Sequence, residues 1–147
     1  MTKNFRFEKD SMGEIKVPSE ALWGAQTQRS INNFTIGEEL IPIELIYSIT
    51  VIKKAAAIAN FKLGLIEKVK KDLITEACKE IIDGVHDSQF PLKIWQTGSG
   101  TQTNMNINEV ISNIAALKAH SELGSHHPIH PNDDVNKSQS TNDIFPT

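Results

Sequence analysis

Hydrophobic positions recur at helical spacing in three stretches of this chain. From Pro42, which suits the first turn of a helix, apolar residues fall at Leu45, Ile49, Ile52, Ala56, Ala59 and Leu63, and Gly64 follows as a C-terminal cap. A second run, Ile66, Val69, Leu73, Ala77 and Ile81, closes at Gly84, and a third, Ile107, Val110, Ile114 and Leu117, closes at Gly124. Helices of this kind pack on one another through their apolar stripes. Ahead of them, residues 3–17 alternate loosely and turn at Met12-Gly13, which predicts a short β-hairpin. The expected class is mainly α with a hairpin near the N-terminus.

Two long connections interrupt this pattern, "VHDSQFPLKIWQTGSGTQTN" before the third helix and "SHHPIHPNDDVNKSQSTNDIFPT" after it. Connections above roughly 12–15 residues are uncommon in compact domains unless they carry function or are disordered, so the chemistry is sought there. In the first, residues 97–110 read "TGSGTQTNMNINEV", with hydroxyls, carboxamides and glycines crowded together and Glu109 as the one charge. Gly98 and Gly100 let a ligand approach main-chain N–H groups; Ser99, Thr101, Gln102, Thr103 and Asn104 add donors; the helix that follows presents the positive end of its dipole. This chemistry suits an anion cradle, and equally a plain helix cap beside a glycine turn. Gln102, Asn106, Glu109 and Asn113 then form one polar ridge, facing solvent in an isolated domain or buried as a network in an assembly.

The second connection gathers His126, His127 and His130 among asparagines and aspartates. Metal binding is disfavoured, because two prolines break the helix that would align the imidazoles. Acid–base work by His130 beside Asp133, and a rigid proline turn held by Asx hydrogen bonds, both remain open. Ser138, Ser140, Thr141 and Asn142 make a second hydroxyl and amide cluster, so two cradles can grip the two ends of a small dicarboxylate if they meet in space. "STND" has the spacing of a capping box, Ser140 to Asp143, at the start of a helix too short to stand alone. The chain is therefore expected to be part of a larger protein that continues past Thr147.

Composition narrows the classes. At 147 residues and 16.3 kDa the chain suits one domain, able to remove roughly 70% of its unfolded surface from water. A net charge of −3 with scattered lysines leaves no basic stripe for a phosphate backbone, so nucleic acid is not an expected partner. No apolar run approaches the roughly 20 residues of a membrane span, and the N-terminus lacks the h-region of a signal peptide. A cytoplasmic protein is expected, with the single Cys78 a small core residue.

These loops, with "RFEKDSMGEIKVPSEALWGAQTQRSINNF" near the N-terminus, resemble the N-terminal portion of class II fumarase, in the fumarase/aspartase superfamily, from Phe5 to Thr147. The resemblance implies residues 1–139 as an N-terminal helical lyase domain of that fold and 140–147 as the start of a central long-helix domain. It implies a homotetramer in the full-length protein, with active sites shared between subunits and a fumarate or L-malate substrate. Ser99, Gly100 and Thr101 look like the substrate-contacting loop, and Ser140, Thr141 and Asn142 like a second contact to the same dicarboxylate. His130, Pro131, Asn132 and Asp133 resemble the secondary anion site, where His127 replaces a basic residue of some relatives. The family's mobile "GSSxMPxKxN" loop and its Thr-His pair match nothing here, so no catalytic residue, metal or cofactor is assigned and the chain alone is expected to be inactive. Thr141 in place of the usual second serine resembles aspartase, which keeps aspartate ammonia-lyase as the alternative enzyme and a non-catalytic anion-binding or assembly module as the alternative of another class.

Overall fold

The computed structural model describes residues 4–147. Its hairpin pairs β1 (Phe5–Asp10) with β2 (Gly13–Pro18), antiparallel, from Phe5↔Pro18 to Asp10↔Gly13. The loop is thus Ser11-Met12, one residue earlier than expected, and the Met12 N–H donates to Asp10 Oδ1 at 2.9 Å. Helices follow as α1 (Ala25–Asn33), α2 (Ile43–Lys62), α3 (Lys68–Ile82), α4 (Thr101–Lys118) and the single turn α5 (Thr141–Ile144). A 3-10 turn at Asp87–Gln89 and a π-helical turn at Pro131–Val135 sit within the two long connections. The mainly helical class and the hairpin are as the sequence predicts; α1 is not among its predictions. Among the described residues no helix is long and apolar enough to cross a membrane.

The core is built around α4, which touches α1, α2, α3 and the π-turn. Ile46, Ile49, Ile74, Ile81, Ile107 and Ile111 are almost wholly buried, and each such side chain stabilises the fold by roughly 1.5–3 kcal/mol. Cys78 lies among them, its thiol pushed up to about 12 by burial, as suits a core residue.

The stripe of α2 is rotated from its expected position, and those of α3 and α4 each lose one residue. On α2 the buried face is Ile46, Ile49, Thr50, Lys53, Ala57 and Asn60, while Ala59 and Leu63 are exposed. That helix is apolar nearly all round, so periodicity alone does not fix which face turns inward. On α3 Ile74, Ala77, Cys78 and Ile81 are buried and Val69 is exposed; on α4 Leu117 is exposed. The ridge on α4 also resolves: Asn106, Glu109 and Asn113 are buried within this single chain, without needing an assembly.

Helices α2 and α3 end as the sequence predicts. In each, a left-handed glycine, Gly64 or Gly84, donates to the carbonyl three residues back and the next residue to the carbonyl five back. Helix α4 ends earlier than Gly124, with the same hydrogen bonds (His120 N–H to Leu117 O, 3.1 Å; Ser121 N–H to Ala116 O, 2.8 Å), and His120 takes the left-handed position at φ +55°.

Candidate functional site

The first polar cluster lies where expected, at the start of α4, but it is not a cap. Gly100 is the N-cap residue in a left-handed conformation, and among the described residues no side chain accepts from the first-turn N–H groups of α4. The hydroxyls bond one another instead: Ser99 Oγ lies 2.9 Å from Thr101 Oγ1, and the Thr97 hydroxyl donates to the Gln102 carboxamide. Thr103 Oγ1 donates to Gln96 Oε1 at 3.1 Å, which ties the loop to the segment before it. The first-turn N–H groups of α4 thus have no side-chain acceptor among the described residues, at the positive end of the helix dipole.

The second cluster meets the first. Asn104 Nδ2, one turn into α4, donates to Thr141 Oγ1 at 3.0 Å, and the Phe145 ring covers Gly100 so closely that a Cβ there would overlap it. Ser99, Thr101, Ser140 and Asn142 are exposed around this junction, and Thr141 is half-buried. Helix α5 starts at Thr141, as "STND" predicts, although the Ser140 side chain makes no capping bond. Behind the junction, Asn136 gathers three donors on its Oδ1: Lys53 Nζ at 2.7 Å, Asn104 Nδ2 at 3.1 Å and Asn108 Nδ2 at 3.4 Å.

The His130–Asp133 segment is a capped turn. His130 Nδ1 accepts from the N–H groups of Asn132 (3.2 Å) and Asp133 (3.1 Å), which leaves the proton on Nε2. Because Nδ1 is occupied in this way, it does not present the N–H that a carboxylate would need to orient it as an acid–base group. Asp134 fixes the turn from below: Oδ2 accepts the His130 N–H at 2.9 Å, and Lys70 Nζ donates to Oδ1 at 2.8 Å and Oδ2 at 2.9 Å. A cavity of about 260 Å³ opens beside this turn, lined by Lys9, Asp10, Glu109, His126, His130 and Asn132 among others. His126, rather than His127, turns into it, with its ring edge-on to His130 at 4.8 Å. Burial, with His130 beside it, holds His126 below the ordinary histidine range.

Glu109 supplies the floor of that cavity and the support for α1. Its carboxylate accepts from the backbone N–H groups of Gly24 (2.9 Å), Gln26 (2.8 Å) and Thr27 (3.1 Å), while Glu8 takes Ala25 at 3.0 Å. Burial raises the Glu109 carboxyl above its ordinary range, and these hydrogen bonds oppose the rise. A Cβ at Gly24 would press on both carboxylates, so glycine is required there for lack of space. Lys53 and Asn136 are not among the residues that the sequence singles out: nothing local distinguishes Lys53 from the Lys54 beside it.

Against known proteins, the sequence model of a family described as "Lyase" matches residues 13–147. A class II fumarate hydratase of Prochlorococcus marinus (strain MED4) is 89% identical over 146 residues, which cover 99% of this chain and 32% of the relative. The corresponding protein of Neisseria meningitidis is 57% identical over 144 residues, with 98% and 31% covered. Among solved structures, recombinant class II fumarase from Schistosoma mansoni superposes with a TM-score of 0.94 at 50% identity, over 98% of this chain and 30% of that one. A fumarate lyase:delta crystallin from Brucella melitensis gives 0.94 at 43% identity, over 97% and 34%. The chain spans about a third of the length of the curated relatives it matches. With that match over residues 13–147, the chain belongs to the lyase family.

Proposed function

We propose that this chain supplies the substrate-binding loops of a fumarate hydratase, which reversibly adds water to fumarate in the anti sense to give L-malate. Ser99, Gly100 and Thr101 hold one carboxylate and Ser140, Thr141 and Asn142 the other; His130, Pro131, Asn132 and Asp133 form a secondary anion site. Residues 1–139 act as the N-terminal domain and 140–147 open a central long-helix domain, through which a homotetramer completes each active site. In the malate direction a base takes the proton next to a carboxylate, and the electrons left behind make an aci-carboxylate dianion. Hydroxyls, carboxamides and main-chain N–H groups aimed at that charge stabilise it more than the ground state, in the manner of an oxyanion hole. No group of this chain is assigned as the acid or the base.

The observation that carries this reading is the Asn104–Thr141 hydrogen bond, which joins two clusters far apart in sequence into one donor surface. A chimera tests it, with residues 1–147 replacing the matching 146 residues of the Prochlorococcus relative. The chimera is expected to hydrate fumarate, Thr101→Ala and Asn142→Ala to impair it, and the 147-residue chain alone to be inactive. An active chimera indifferent to both substitutions overturns the site assignment; release of ammonia from aspartate with malate untouched replaces the reaction by that of the ammonia-lyases.

A further inference from the structure

Among the described residues Lys53 is the bulkiest fully buried side chain, at the middle of the inward face of α2. Among the described residues no carboxylate pairs with it, and its hydrogen bond is to the neutral Asn136 Oδ1 at 2.7 Å. The titratable group of another element that acts on it is Cys78 of α3, whose thiol is held neutral by its own burial. Removing an unpaired ammonium from water is strongly unfavourable, and burial brings its pKa from 10.5 down to about 7. A methionine would fill the same space without that cost. The fold alone gives no reason for a cation here.

The hydrogen bonds lead outward from it to the substrate loops. Asn136 Oδ1, which Lys53 contacts, also accepts from Asn104 Nδ2, and that same amide nitrogen donates to Thr141 Oγ1. Asn136 is itself held by donating to the Gln139 carbonyl at 3.1 Å. Three hydrogen bonds therefore separate a buried cation from a hydroxyl of the dicarboxylate site. The loops' hydroxyls and amides are neutral donors, and Lys53 is a positive charge tied to them by hydrogen bonds from a buried position, where its field is weakly screened.

We infer that Lys53 is a positioning residue of the dicarboxylate site: through Asn136 it orients the Asn104 amide toward Thr141, and its ammonium supplies the attractive field that the neutral loops lack. This rests on the hydratase reading above.

The test uses the same chimera. Lys53→Met is expected to raise KM for fumarate and malate about tenfold, with a smaller change in kcat, while its Tm at pH 6 equals or exceeds that of the unsubstituted protein. Asn136→Asp keeps acceptors for Lys53 and Asn104 but neutralises the cation, and is expected to raise KM as well. An unchanged KM in Lys53→Met overturns the inference. So does a lowered Tm in that variant, because it marks a lysine that serves the fold rather than the site. An inactive unsubstituted chimera overturns the hydratase reading itself, and with it this one; that control is read separately from the variants.

Discussion

At the scale of single residues, two buried ionisable groups predict opposite outcomes when replaced by an apolar side chain. Glu109 satisfies three main-chain donors, those of Gly24 and Thr27 buried and that of Gln26 half-buried, so Glu109→Ala takes away the acceptor of all three. The expected cost is about 3–5 kcal/mol, read as a lowered urea midpoint at constant slope. Lys53 is the reverse case. Its folded pKa, about 7, lies below the unfolded 10.5, so between these values the unfolded chain binds a proton that the native chain does not. Stability contributed by this group is therefore lowest below pH 7 and rises as pH rises toward 10.5. Relative to wild type, Lys53→Met should be more stable at pH 6, by at most about 5 kcal/mol, and that advantage should shrink steadily in denaturation curves taken up to pH 10.

At the scale of elements, helix ends are set by local chemistry where glycine is present and by packing where it is not. Gly64 and Gly84 close α2 and α3 in the left-handed conformation that glycine adopts without strain. His120 performs the same task for α4 at φ +55°, where a Cβ is crowded. His120→Gly is accordingly expected to stabilise the protein by about 1 kcal/mol, measurable as a raised Tm; a lowered Tm would mean that the imidazole makes a compensating contact. Helix α1 was illegible in sequence for a related reason. Its residues, "AQTQRSINN", have little apolar periodicity, and its N-terminus is capped by Glu8 and Glu109, the second of them more than eighty residues away. No local signal announces a cap contributed by another helix.

At the scale of the whole molecule, part of the exposed apolar surface lies on the helices that also build the core. Val51, Ile58, Phe61, Leu63, Leu65 and Val69 are all exposed, on α2, α3 and the turn between them, although the same helices furnish much of the core. Exposed apolar side chains in such number favour association. The 147-residue chain by itself is expected to self-associate in sedimentation velocity, with a concentration-dependent mass, and Leu63→Lys with Phe61→Lys to weaken that association. A strictly monomeric chain across the accessible concentrations would contradict this.

What the sequence determined by itself was local: the hairpin, three helices and two of their glycine ends, and the two neutral polar loops with the HPND turn between them, because propensity, periodicity and turn chemistry act over a few residues. Only the tertiary structure decided which face of α2 turns inward, that the ridge of α4 is buried, that α1 exists, and that Asn104 and Thr141 meet. Those outcomes depend on partners distant in the chain: a carboxylate finds its N–H donors, and a lysine its asparagine, only after the helices have packed.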